Sequence, residues 1–429
     1  MNKANATKII SDILATLAMP NEELNDDFAV ESFSDTRNIK SEKDIDKMKG
    51  NLSVVLIGRA KIERYNSLYR DLYNEMNVKN KCMSFKYFKT TTQQLIFEDK
   101  FNFDSISNLL ANATTTTIYN VAPIWGMSLQ SDFVIFGKYT FINKSHMCEY
   151  IKSHTDIKDD DFLSNSSIKM IENWSQRKAS CIYLLIGYDV YDSVFADELF
   201  EKERISVINV LRYMLGVQWD RIYIGKTEFV TYEENKIQFT NDILLAGSKT
   251  NRKDIEVDLD PDYYSEDNGN KRVWEILSKS NPNEFEKRIV NAIQWIGRSL
   301  NEEVGNDISI SEIAFAFETL LKRNISVSPI TASIQGSISE MVAYIVGENL
   351  EERLNLIKRF KDFYGKRSSV VHGGVTENDI KLYYEFLNNF KFLVIELLTN
   401  NKFCNCKSIE ELYSIIDVYK FRADENEDD

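Results

Sequence analysis

His372 is one of only three histidines in 429 residues, and it stands five positions after Arg367 in the run Tyr364-Gly-Lys366-Arg367-Ser368-Ser369-Val370-Val371-His372-Gly373-Gly374. An imidazole titrates near physiological pH, so it can take up a proton and return it within one catalytic cycle. A guanidinium stays charged and presents a planar fork of donors matched to phosphate oxygens. With no set of metal ligands beside them, the two suit cleavage of a phosphodiester that carries its own nucleophile, which means RNA and its 2′-hydroxyl. An Arg-x4-His spacing arises by chance in many chains, so the flanking residues carry the weight.

Simpler roles stand beside that chemistry. His372, just before Gly373-Gly374, could close a helix, because a histidine in the last turn favours the helix dipole and glycine commonly follows as the cap. Arg367 could be a surface cation. Tyr364 continues an apolar stripe and reads more readily as core than as a platform for a base. Glu318, on an otherwise apolar helix, is either buried against Arg367 or Lys366 or a boundary residue. In an ideal helix residues five apart lie about 140° apart around the axis, so Arg367 and His372 do not project in parallel. The β-branched pair Val370-Val371 and the following glycines suggest that the helix loosens there, and a second copy across a two-fold axis would also close the gap.

The pattern Tyr-x-x-Arg-Ser-x-x-Val-His-Gly, carried by Tyr364, Arg367, Ser368, Val371, His372 and Gly373, resembles the signature of the HEPN superfamily, specifically its Apea-like branch. Upstream, Trp295-Ile296-Gly297-Arg298-Ser299-Leu300 is similar to that branch's Trp-containing first helix, and Ala316-Phe317-Glu318-Thr319-Leu320-Leu321 to its "ALE-x-LL" second helix. The resemblance covers roughly residues 280–420. It implies an all-helical domain that forms a homodimer and joins two Arg-x4-His motifs in one cleft that cuts RNA without metal or other cofactor. Carried over, Arg367 stabilises the transition-state phosphate, His372 is the general acid or base, and Ser368 is the polar companion, where the branch often has asparagine, aspartate or histidine. Lys366 and Tyr364 complete the candidate set as substrate-binding residues. The family is common in bacterial toxin and anti-phage systems, so the resemblance implies an abortive-infection effector, with a phage-derived or nucleotide trigger acting on the N-terminal domain. The alternative is a non-catalytic HEPN module that dimerises and binds a nucleotide or RNA.

The rest of the chain must position this motif. Its length exceeds the usual size of one hydrophobic core and predicts two domains. The formal net charge of −14 excludes a general, salt-dependent grip on nucleic acid. A local positive cluster of Lys358, Arg359, Lys361, Lys366 and Arg367 is compatible with a nuclease inside an acidic body. The five cysteines, at 82, 148, 181, 404 and 406, have no disulfide-framework or zinc spacing, which reads as a reduced, cytoplasmic protein. The N-terminal 19 residues are amphipathic but not a signal peptide, and no apolar run reaches the length of a membrane span, so no membrane partner is expected.

In chain order, residues 1–50 read as a helix followed by a polar, mobile segment from 20 to 50. Residues 51–250 read as an α/β sensor or partner-binding domain. Strands are expected at Ser53–Gly58, Thr117–Tyr119, Asp132–Phe136, Cys181–Ile186 and Arg221–Ile224, and helices at Ile62–Met76 and Phe195–Leu215. Phe229–Phe239 looks like a hairpin turning at Glu233-Glu234-Asn235-Lys236. Ile224-Gly225-Lys226-Thr227 ends like a phosphate-binding loop, but Asp220 stands at the first glycine position and the loop residues are those of a strand. Asp220 with Glu234-x-Lys236 can be forced into a metal-nuclease arrangement, a spacing common in acidic, lysine-rich chains. His146 and His154 lie among polar residues and read as exposed. Residues 251–280 read as an acidic linker. Asp258, Asp260 and Asp262 there mimic a calcium loop without its glycine or its closing glutamate.

From Pro282 the hydrophobic period becomes helical. The inward stripes are Phe285, Ile289, Ile293, Ile296 and Leu300; Ile310, Ile313, Phe317 and Leu320; Leu350, Leu354, Ile357, Phe360 and Tyr364; Tyr383, Leu387, Phe390, Val394 and Leu397; and Leu412, Ile416 and Tyr419. Capping boxes are expected at Ser337-x-x-Glu340, Thr376-x-x-Asp379 and Ser408-x-x-Glu411. The fold class is thus an α+β N-terminal domain of mixed strands and helices, then an all-α HEPN helical bundle over 281–420 and an acidic tail over 421–429.

Overall fold

The computed structural model describes residues 2–17, 28–33, 53–58, 61–153, 169, 181–216, 224, 232–239, 244–251, 257–265, 268–300, 307–323, 334–371 and 379–421. These are mostly helical, with a small antiparallel sheet of four strands, an α+β layout. The chain divides into two compact units: Met1–Val121, Ser145–Arg177 and Leu185–Lys202 in one, and Ala122–Lys144, Lys178–Leu184 and Glu203–Asp429 in the other. Among the described residues no helix is long and apolar enough to cross a membrane.

In the first unit α1 (Lys3–Leu14) is started by Asn2, whose side chain accepts from the amides of Ala4 and Asn5. Ala6, Ile10 and Ile13 fall on one helical face and are buried. That face packs on α2 (Ile62–Glu75), whose Tyr65, Tyr69 and Leu72 are fully buried. The helices α3 (Phe85–Phe97), α4 (Phe103–Asn112) and α5 (Met147–Ser153) complete the set. The strand β1 (Phe28–Phe33) pairs antiparallel with β2 (Ser53–Gly58). The 20–50 stretch read as mobile therefore contains a strand: the short run FAVESF, with four apolar residues of six, is obscured by charged flanks on both sides.

The four-stranded sheet runs in the order β3 (Thr116–Trp125), β7 (Cys181–Val190), β6 (Tyr139–Asn143), β5 (Phe133–Phe136), with β5 and β6 antiparallel. In the second unit β4 (Met127–Ser128) pairs parallel with β10 (Val257–Asp258). Beyond them, β8 (Tyr232–Phe239) and β9 (Leu244–Asn251) form an antiparallel ladder with Phe239 opposite Leu244. This moves the expected turn. Glu233 to Lys236 lie inside β8, paired with Thr250 to Gly247 of β9, and not at a turn. The expected strand at 221–223 lies outside the described residues.

Residues 251–280 are not a simple linker. Asp260 caps the short helix α7 (Pro261–Tyr264) by accepting from the Asp262 amide at 3.0 Å. Gly269, at φ +97°, then starts α8 (Asn270–Leu277), which buries Val273, Trp274 and Ile276. Trp274 stacks on Phe136 at 5.4 Å, touches Tyr139 and Phe141, and donates its indole N–H to the Tyr264 carbonyl at 2.9 Å. Three buried apolar residues among the acids outweigh the average polarity of the stretch.

The helix α6 (Ser193–Leu215) ends where the Met214 carbonyl accepts from the Tyr263 hydroxyl at 2.6 Å and the Lys391 ammonium at 3.1 Å. Burial pulls the Lys391 pKa down to about 8. Among the described residues six helices follow: α9 (Glu284–Ser299), α10 (Asp307–Leu321), α11 (Ile334–Val346), α12 (Leu350–Val371), α13 (Ile380–Thr399) and α14 (Ile409–Phe421). Asn283 and Glu286 form the capping box of α9. The core centres on Phe317 of α10, whose ring meets Phe360 of α12 at 5.0 Å and Phe390 of α13 at 5.3 Å, edge to face. Phe363 and Phe386 stack at 4.0 Å beside it.

Four helical expectations change. Leu350 and Leu354 are 70% and 59% exposed, so the inward stripe of α12 begins only after its first turns. Ser337 lies inside α11, bonded to the Tyr413 hydroxyl at 2.9 Å, rather than at a cap. Asp379, not Thr376, caps α13, accepting from the Leu382 amide at 3.0 Å. The helix α12 continues through Val371 instead of loosening at Val370.

Candidate active site

The helix α12 carries Arg367 four residues beyond buried Phe363 and three beyond buried Tyr364, which sets it on the shoulder between core and solvent. Facing it, α10 presents Phe315 and Glu318, three residues apart and therefore on one helical face. The Arg367 Nη2 lies 3.1 Å from the Glu318 Oε1, and its guanidinium sits over the Phe315 ring at 5.3 Å. Of the readings open for Glu318, pairing with Arg367 is the one found. The Arg367 side chain remains 27% exposed, while its Nε is buried with no hydrogen-bond partner among the described residues. Carboxylate and ring fix the guanidinium in one orientation and leave its other edge to act as donor.

A second arrangement of the same kind adjoins the first. On α9, Trp295 and Arg298 are three apart, and the Arg298 guanidinium lies over the Trp295 indole at 4.4 Å. The Arg298 Nη2 reaches the buried Glu312 of α10 at 3.1 Å. Trp295 meets Phe315 at 5.2 Å, so Arg298, Trp295, Phe315 and Arg367 form one continuous strip. Gly297 lets α9 take this position: a Cβ there would lie 2.4 Å from the Asn209 backbone of α6. The helix α9 is also tied to α6 by Gln294, which donates to Ser206 Oγ at 2.8 Å and accepts from Asn209 at 3.0 Å. Of this strip only Arg367 has a chemical role read from the sequence. The strip's signal was the i, i+3 spacing of Trp295 with Arg298, Glu312 with Phe315 and Phe315 with Glu318.

The remaining candidates fall as follows. Tyr364, named as substrate-binding, is 6% exposed and packed against Phe360 and Phe363, so it is a core residue. Burial, with the Glu318 carboxylate adding, pushes its phenol well above the ordinary value. The Lys366 Nζ is held by Asp379 at 2.7 Å, tying α12 to the cap of α13. That contact and the Leu382 amide keep the Asp379 carboxyl below its usual range. Ser368 is on α12, but its side chain is not among those described, and His372 lies outside the described residues. His146 is half-buried beside Ser145, and His154 lies outside the described residues. The expected positive cluster is largely compensated, since Arg359 pairs with Glu385, Lys366 with Asp379 and Arg367 with Glu318.

No family model, no curated protein and no solved structure matches the chain.

Proposed function

We propose that this protein is a metal-independent endoribonuclease of the HEPN type, in which Arg367 and His372 act on a single phosphodiester. The observation that carries the reading is the Arg367 guanidinium, oriented by Glu318 and Phe315 near the end of α12, five residues before the one histidine of the helical region. In this scheme His372 takes the proton of the attacking 2′-hydroxyl or returns one to the leaving 5′-oxygen. Arg367 stabilises the charge that develops on the non-bridging oxygens. The products are a 2′,3′-cyclic phosphate and a 5′-hydroxyl. Two copies of the helical region, paired as a homodimer, supply both roles twice in one cleft. The N-terminal domain, residues 51–250, holds the trigger site of a conditional anti-phage or toxin effector in the cytoplasm.

The charge compensation along α12 favours a second reading, a HEPN module that dimerises and binds a nucleotide or RNA without cutting it. Incubation of purified protein with single-stranded RNA in excess chelator separates the two. Nuclease action predicts new fragments ending in cyclic phosphate, and a loss of roughly a hundredfold or more in both Arg367→Ala and His372→Ala. Variants that cut like wild type, or cleavage that disappears with the chelator, would overturn it.

A further inference from the structure

We propose that Arg298, whose guanidinium sits over Trp295, is a stacking platform for the base of a single-stranded ribonucleotide. Its place beside a scissile phosphate rests on the nuclease reading, whereas the binding itself can be measured without any cleavage.

The Arg298 guanidinium lies over the indole at 4.4 Å, yet the side chain is 56% exposed, so much of it is open to solvent. Glu312, only 7% exposed, holds the Arg298 Nη2 at 3.1 Å, so less side-chain freedom remains to be lost on binding. A flat cation fixed over an aromatic ring offers a π-compatible surface to any base, with little dependence on sequence. The strip then runs through the Trp295–Phe315 contact to Arg367, which is over the far ring.

Charge decides which part of a nucleotide the near end takes. Arg298 and Arg367 are matched by Glu312 and Glu318, so the strip as a whole is neutral. A neutral strip on a chain of net charge −14 gives a weak grip on phosphates. Stacking is the attraction left to Arg298, and stacking releases no counterions. The platform therefore contributes affinity that salt does not screen.

The test uses the full chain carrying His372→Ala to suppress cleavage and a fluorescent single-stranded oligoribonucleotide read by anisotropy. Arg298→Ala should weaken binding about tenfold, within the range of one stacked base. Arg298→Lys should recover little of it, because lysine restores the charge without the plane. The slope of log affinity against log salt should stay unchanged in both. An abasic substitution in the oligonucleotide should cost wild-type Arg298 protein a similar factor and cost Arg298→Ala protein almost nothing. Equal binding by all three proteins overturns the platform, as does a salt slope that falls by about one in Arg298→Ala, which marks a phosphate contact. Absence of RNA binding, with Arg298 needed only for a protein partner, overturns it too. Cleavage whose KM ignores Arg298→Ala would remove the platform and leave the nuclease standing; Arg298-dependent stacking in a chain that never cuts would do the reverse.

Discussion

Arg367 and Glu318 meet at 3.1 Å between α12 and α10, and that ion pair fixes the one arginine the proposed chemistry requires. Both side chains keep contact with solvent, so the pair adds little to stability, on the order of 0.5–1 kcal/mol. Its value lies in orientation. Glu318→Ala should therefore leave the melting midpoint nearly unchanged while lowering kcat about ten- to a hundredfold with little change in KM. Adding Glu318→Ala to Arg367→Ala should cost nothing further. Additive losses in that double-mutant cycle would show that the two residues act separately.

Gly297 marks a backbone crossing and not a hinge. A Cβ at 297 would press on Asn209 at 2.4 Å, so even Gly297→Ala must push α9 away from α6, and Gly297→Val should destabilise by about 1–3 kcal/mol. Urea unfolding of the two variants checks this. Because α9 carries Trp295 and Arg298, oligonucleotide affinity should fall in the same variants.

Tyr364→Phe tests the core assignment of a residue the sequence offers as a substrate contact. The hydroxyl is buried without a hydrogen-bond partner among the described residues, so its removal should be neutral or stabilising by up to about 1 kcal/mol. RNA cleavage should be unaffected. A selective rise in KM would place the phenol at the substrate instead.

Lys391 sets a pH dependence whose sign follows from burial. Its folded pKa of about 8 is below the ordinary 10.5, so between those values the unfolded chain holds the extra proton. The contribution of Lys391 to stability should rise as pH goes from 8 to 10.5 and be flat below 8. In Lys391→Met, where the Tyr263 hydroxyl still satisfies the Met214 carbonyl, that rise should vanish. Denaturant midpoints across the interval, compared between the two proteins, read it directly.

The helical half of the fold is legible in the sequence because burial follows period. Phe285, Ile289, Ile293 and Ile296 are each 2% exposed or less, as are Ile310, Ile313, Phe317 and Leu320. The same rule misplaces Leu350 and Leu354: periodicity records that a face is apolar, not whether a neighbouring helix covers it. Local composition misleads where a few apolar residues sit among acids, as with Phe28–Phe33 and Trp274. Of the site, the residue types and the helix that bears Arg367 can be read in advance. The Glu318 pairing emerges only as one of several openings, and the Arg298–Glu312 pair not at all, since both join different helices whose mutual rotation no single-helix pattern encodes.

The indole of Trp274 also bears on how this protein can be dissected. Composition suggests severing the chain near residue 280 to obtain the six helices as a portable cassette. A cut there would part Lys279 from Glu286, and a cut moved upstream to keep α8 would take the Trp274 indole away from Phe136, Tyr139, Phe141 and the Tyr264 carbonyl, exposing a sticky aromatic face. The smallest piece to excise as a soluble fragment has to bring the Phe133–Asn143 hairpin with it.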